Sequence, residues 1–303
     1  MGKIAFVFAG QGAQYPGMGL ELNNSFRAAL EMFRRLDEIR PNTSAECFFG
    51  DELALLETKN TQPCMFAVEM ACAAVLAEHG VKADMVAGFS LGEIAALAYS
   101  GAVDIETGFK LVCRRGELMQ AVAAKVDTKM VAVLRLSNED VERLCAGFNC
   151  VYPVNYNCPG QISVAGLCES MPDFLKAVRA VGGRSVPLKV NAGFHSPFMA
   201  DAAAEYLKEL DAYNLNNPMM PLYSNVTGMP YGENMKELLS RQISSPVLFE
   251  KIVRNMIREG ADTFIELGPG QTLCGLIQKI DSSVRAFSFS DQAGLNAILS
   301  EVL

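Results

Sequence analysis

Residues 84–93 read Asp84-Met85-Val86-Ala87-Gly88-Phe89-Ser90-Leu91-Gly92-Glu93. The first half is a short apolar run of the kind that forms a strand buried on both faces. The second half opens a helical pattern over residues 91–99. Between them Gly88, Ser90 and Gly92 fit G-x-S-x-G at a strand-to-helix turn. Such a turn lifts a serine hydroxyl clear of the backbone and aims a helix N-terminus at it, so developing negative charge meets free N–H groups. Ser90 and Glu93 also have the spacing of a capping box, which would make Ser90 an ordinary helix cap. That alternative leaves Gly88 and Gly92 unexplained.

Outward from this turn, residues 4–8 form an apolar strand ending in Ala9-Gly10-Gln11-Gly12-Ala13-Gln14. Helices are expected over 25–39, from Thr61-Gln62-Pro63 to 78, with Thr61 as the cap, and over 104–124. Strand, helices, strand, helix is the order of a parallel sheet covered by helices. Residues 127–191 differ. Strands over 130–136, 151–156, 161–165 and 184–190, with helices over 138–146 and 171–181, give βαββαβ, a ferredoxin-like unit. A helix over 200–210, a strand over 222–225, a helix over 247–259 and a strand over 262–267 then resume the first pattern. The expected architecture is α/β: an α/β-hydrolase-like parallel-sheet domain formed by 1–126 and 192–303, carrying a ferredoxin-like subdomain, 127–191.

Half of the 303 residues are hydrophobic, enough for a large core, and the net charge of −8 argues against nucleic-acid binding. Nine scattered cysteines without CxxC or Cys/His ligand spacing read as reduced thiols, and no metal site is expected. The opening MGKIAFVFAG has no basic leader or cleavage site, and no apolar run approaches the roughly 18–20 residues that cross a membrane. A cytoplasmic protein, a monomer without membrane association, is expected.

A serine nucleophile needs a base, and the chain has two histidines. His79, in Ala77-Glu78-His79-Gly80, sits where a cation suits a helix C-terminus. His195, in Asn191-Ala192-Gly193-Phe194-His195-Ser196-Pro197, lies in a loop joining the two parts, a usual place for a cleft, although a lone loop histidine is often without function. Gln11 stands in a glycine-rich turn that is either a simple tight turn or a loop of N–H donors. Tyr15 replaces the third glycine of a dinucleotide fingerprint. Of Arg114 and Arg115, adjacent on one helix, one can turn inward while the other stays in solvent.

Taken together the chain resembles the malonyl-CoA–acyl carrier protein transacylases of fatty-acid synthesis and the acyltransferase domains of polyketide synthases. The matching segments are Phe8-Ala9-Gly10-Gln11-Gly12-Ala13-Gln14, Thr61-Gln62-Pro63, Gly88-Phe89-Ser90-Leu91-Gly92-Glu93, Arg115-Gly116, Asn155-Tyr156-Asn157-Cys158-Pro159-Gly160-Gln161, Phe194-His195-Ser196 and Glu266-Leu267-Gly268-Pro269-Gly270. They occur in family order along nearly the whole chain. The resemblance implies transfer of malonyl from malonyl-CoA to the phosphopantetheine thiol of acyl carrier protein, through a malonyl-serine ester and without a cofactor. It implies Ser90 as nucleophile, His195 as base, and an oxyanion hole made by the amides of Gln11 and Leu91. It also implies Arg115 on the malonyl carboxylate, Gln62, Met119, Asn157 and Gln161 in the pocket, and a backbone carbonyl near Leu248 orienting His195. Phe89 departs from the family, where many members carry His before the nucleophile. Phe194, before the base, goes with malonyl in the polyketide relatives.

Two other classes stay open at this point. An ordinary α/β-hydrolase esterase orders its triad Ser, Asp, His with the His late, whereas residues 196–303 follow His195 here; a carboxylate touching His195 would favour that class. A non-catalytic carrier-docking module would not need Ser90, Arg115 and His195 together. Arg184, Lys189 and Lys279 are the basic residues expected to attract an acidic carrier to a net acidic protein.

Overall fold

The computed structural model describes residues 2–190 and 192–302; Asn191 of the His195 loop lies outside the described residues. The strands are β1 (Lys3–Phe8), β2 (Met85–Gly88), β3 (Thr128–Leu134), β4 (Val151–Cys158), β5 (Gln161–Leu167), β6 (Arg184–Pro187), β7 (Leu222–Tyr223), β8 (Ala261–Leu267) and β9 (Arg285–Phe289). They form two sheets, one of five strands in the order β7-β2-β1-β8-β9 and one of four in the order β4-β5-β3-β6.

All pairings in the larger sheet are parallel, and β1 lies at its centre between β2 and β8. That position explains its unbroken apolar sequence. Phe6 and Phe8 enter the main core with helices Thr58–Glu78 and Ile105–Ala123, while Ala5 and Val7 face a second core with helices Phe249–Arg258 and Thr272–Ile280. A sheet covered on both faces has no room for polar alternation.

The smaller sheet is antiparallel. Its order is that of a ferredoxin-like βαββαβ unit, with Asn138–Ala146 and Met171–Ala180 as the two helices. Val131 and Val133 pack under those helices with Phe174 and Val178, whereas Met130 points the other way and joins the main core. β4 is also tied to the parallel-sheet domain, because Val247 N–H donates to Val154 and the amide of Tyr156 donates to Val247. The two sheets are thereby held against each other along a cleft.

Several elements differ from expectation. Helix Thr58–Glu78 starts a turn before Thr61, since the amides of Asn60 and Thr61 already donate to the Glu57 carbonyl. Thr61 is therefore no cap; its hydroxyl donates back to Leu55 and Glu57, and Pro63 sits inside the helix. The expected helix over 25–39 forms as Arg27–Asp37, and Phe26, in extended backbone (φ −129°), separates it from a short preceding helix, Leu20–Ser25, that was not expected. Strand β9 and helix Met235–Gln242 were not anticipated at all. Among the described residues no helix is long and apolar enough to cross a membrane.

Candidate active site

β2 ends at Gly88 and helix Gly92–Tyr99 begins four residues later, leaving Ser90 at φ 55°, a left-handed conformation that a side chain rarely adopts. The glycines permit the turn. A Cβ on Gly88 would lie 1.9 Å from the Gly92 carbonyl carbon, and one on Gly92 would lie 2.4 Å from the carbonyl oxygens of Phe8 and Ala9. Gly88→Ala is accordingly expected to destabilise the fold by roughly 3 kcal/mol or more, since backbone blocks backbone; urea unfolding measures it, and a midpoint equal to the parent's would contradict the close approach.

The strained turn is clamped from outside. Asn225 accepts the Ser90 N–H on Oδ1 (2.8 Å) and donates from Nδ2 to the Gly88 carbonyl (2.7 Å). The capping-box reading of Glu93 does not hold, because the Ser90 amide is taken by Asn225. The Glu93 carboxylate instead accepts from the Asn225 amide (2.8 Å), the Tyr231 hydroxyl (2.6 Å) and Gln242 Nε2 (2.7 Å).

Ser90 Oγ lies 2.7 Å from His195 Nε2. On the other side of the ring, Nδ1 lies 2.8 Å from the Gln242 carbonyl. A carbonyl only accepts, so Nδ1 carries the proton and Nε2 presents its lone pair to the hydroxyl. The orienting carbonyl is thus that of Gln242 and not Leu248. The Leu248 carbonyl receives the amide of Ile252 at the start of helix Phe249–Arg258. Gln242, by contrast, ends helix Met235–Gln242, where carbonyls lack intrahelical partners and the dipole is negative. Among the described residues no carboxylate is hydrogen-bonded to His195. Burial, reinforced by the positive charge of Arg115, pushes the imidazole down to about 3, so it is a neutral acceptor at ordinary pH.

Arg115 is 0 % exposed. Its Nη2 donates to Gln242 Oε1 (2.6 Å) and Ser90 Oγ (3.2 Å), while Nε and Nη1 have no partner among the described residues. Burial lowers its pKa to about 10, which still leaves it cationic at neutral pH. Arg114 turns outward and pairs with Glu117 and Glu209, each at 3.0 Å.

A cleft of about 290 Å³ opens over the serine, lined by Gln11, Ser90, Met119, Asn155, Phe194 and His195 among others. No acceptor among the described residues takes the backbone N–H of Gln11 or Leu91. Asn157 and Gln161 line an adjoining cavity of about 210 Å³ that shares Gln11, Phe89 and Asn155 with the first. Gln62 is buried beside Met119, with Nε2 3.4 Å from its sulfur and Oε1 without a partner among the described residues. Lys189 stands at the mouth of the cleft, and Lys279 reaches Gln161 (3.4 Å) at the rim of the second cavity. His79 caps its own helix, Nδ1 lying 2.8 Å from the Val75 carbonyl, and has no part here. Gln242, Asn225 and Tyr231 are the site neighbours that the sequence reading missed.

Serine, neutral histidine, free amides and a half-open guanidinium make a site for acyl transfer through an ester. Comparison with known proteins agrees. Residues 5–288 match the acyl transferase domain family. The malonyl CoA-acyl carrier protein transacylase of Bacillus subtilis (strain 168) is 36% identical over 299 residues, covering 96% of this chain and 94% of that protein. The crystal structure of the transacylase of the same name from Clostridium perfringens superposes with a TM-score of 0.95 at 38% identity, covering 99% of this chain and 97% of that one. A malonyl-transacylase solved in complex with a type II PKS acyl-carrier protein superposes at 0.94 with 32% identity, covering 98% and 99%. The chain belongs to the acyl transferase domain family, together with these transacylases.

Proposed function

We propose that the chain transfers the malonyl group of malonyl-CoA to the phosphopantetheine thiol of acyl carrier protein, supplying malonyl thioesters for fatty-acid synthesis. The observation that carries this reading is Arg115: a buried guanidinium against the Ser90 hydroxyl with two nitrogens, Nε and Nη1, unpaired among the described residues. An acyl chain ending in a carboxylate gives those donors a charged acceptor; one ending in methyl does not.

In the first half-reaction Ser90 Oγ attacks the thioester carbonyl carbon while His195 Nε2 takes the hydroxyl proton. The carbonyl oxygen becomes an oxyanion held by the Gln11 and Leu91 amides, one such donor being worth about 10²–10³ in rate. Collapse breaks the carbon–sulfur bond, the coenzyme A sulfur leaves with the proton from His195, and malonyl stays on Ser90 as an ester. In the second half the carrier thiol gives its proton to Nε2, attacks the ester, and Ser90 Oγ leaves and recovers the proton. Phe194 helps to wall the cleft, which fits the small α-carbon of malonyl. An esterase reading lacks support, since a carbonyl and no carboxylate orients the histidine.

The test is intact mass after mixing with malonyl-CoA in the absence of carrier protein, followed by peptide mapping. One malonyl adduct on the peptide holding Ser90 is expected. An adduct on one of the free cysteines, or none, contradicts the assignment.

A further inference from the structure

Arg115 is fully buried, yet among the described residues no carboxylate pairs with it directly; its one short contact is to the Gln242 amide oxygen. A buried cation without a counter-charge is strongly unfavourable. The groups facing it are Ser90 and Glu93 from the turn and its helix, His195 from its loop, Gln242, and Tyr206 from helix Ala200–Asp211. Burial keeps the Tyr206 phenol protonated, and His195 is neutral; Glu93 is the one carboxylate of the group, raised by burial to about 7 against the hydrogen bonds from Tyr231, Asn225 and Gln242, so it is the anion above about pH 7.

Glu93 is itself fully buried and is connected to Arg115 through one side chain. Gln242 Nε2 uses both of its N–H groups, one to Glu93 Oε2 (2.7 Å) and one to the Ser90 carbonyl (2.6 Å). With both acceptors on that side the amide cannot turn over. Its oxygen must face Arg115, which it meets at 2.6 Å. We infer that Glu93 is a positioning residue for acyl-group selection: it supplies the counter-charge of Arg115 through the Gln242 amide, and by standing one amide away it leaves Nε and Nη1 of the guanidinium free for the carboxylate of the acyl donor. A direct bidentate carboxylate would take one of these nitrogens together with Nη2. The inference rests on the reading of Arg115 as the site for the acyl carboxylate.

The charge relay predicts a response that support of the turn alone does not. In Glu93→Gln the new amide must place its NH₂ against a donor, and the anion is gone. Arg115 then loses both its orientation and the charge that keeps it protonated.

The experiment measures kcat/KM for malonyl-CoA and acetyl-CoA from about pH 6 to about pH 10 in the parent, Glu93→Gln and Tyr231→Phe. Glu93→Gln is expected to lower the malonyl-to-acetyl ratio at least about tenfold, mainly through KM for malonyl-CoA, and to move the alkaline limb to lower pH. Tyr231→Phe removes one of two donors from Glu93 Oε1 and should shift both readouts in the same direction by less. It decides the matter if Glu93→Gln does not fold. An unchanged ratio and limb in folded variants overturns the inference, as do equal losses with both acyl donors and an unmoved limb, which would make Glu93 a brace for Asn225 alone. Failure of the functional reading looks different: the parent itself would not prefer malonyl over acetyl.

Discussion

Replacing His195 by alanine is expected to slow acylation of Ser90 by malonyl-CoA roughly a thousandfold, within the range of a lost general base. The reason is local. Among the described residues Ser90 Oγ has two hydrogen-bond partners, His195 Nε2 at 2.7 Å and Arg115 Nη2 at 3.2 Å, and of these the first alone can accept a proton. The side chain is 3 % exposed, so its removal leaves a real cavity beside the cleft. His195→Gln is the companion that fills the space without a base of comparable strength. Both variants should keep the native circular dichroism. Single-turnover acylation, read by mass, measures the effect; a rate within a few-fold of the parent would mean that another group takes the proton.

The same imidazole sets an expectation for pH. Its folded pKa lies near 3 against an ordinary 6.5. Above 6.5 both folded and unfolded chains hold it neutral and it costs nothing. Between 6.5 and about 3 the unfolded chain takes up a proton that the folded chain refuses, so stability falls with pH, by on the order of a few kcal/mol across the window. The imidazole should therefore contribute no acid limb near 6.5 to acylation. His195→Gln should flatten the stability loss in that window.

How far all this was legible in the sequence follows from how local each signal is. The turn at Ser90 was readable because strand, glycines and helix sit within residues 84–99 and each has its own chemical reason. The ferredoxin-like unit was readable because its six elements alternate at regular spacing. Helix Met235–Gln242 was not, being eight residues long with no side-chain cap at Asn234. Its loss carried away Gln242, whose carbonyl and amide together touch His195, Arg115, Glu93 and Ser90. No periodicity announces such a residue, since its importance comes from contacts more than forty residues away in sequence. The resemblance led instead to Leu248, a few residues past the carbonyl that actually meets the ring. Likewise nothing local decides between Arg114 and Arg115. The choice is made by Glu209, on a helix that follows far along the chain and draws Arg114 outward.

That choice yields the other large effect. Arg115→Ala is expected to lower the ratio of malonyl to acetyl specificity constants about a hundredfold or more. A malonyl carboxylate entering a site shut off from water must be paired or it does not enter. In the parent it meets an unpaired nitrogen, Nη1 or Nε, of a guanidinium that has no other anion in direct contact among the described residues. Acetyl leaves those donors unsatisfied, at a cost of roughly 1–3 kcal/mol, more where charge is involved. The two terms oppose each other in the variant, so malonyl transfer falls while acetyl transfer rises or holds. Arg115→Lys keeps the charge but loses the fork and should lie between. Arg114→Ala should leave the ratio unchanged, because that side chain is tied to Glu117 and Glu209 at the surface. The ratio is read from steady-state rates with the two thioesters under one carrier concentration. A collapse in Arg114→Ala with Arg115→Ala intact would show the wrong arginine had been chosen, and no change in either would mean that the carboxylate binds elsewhere in the cleft.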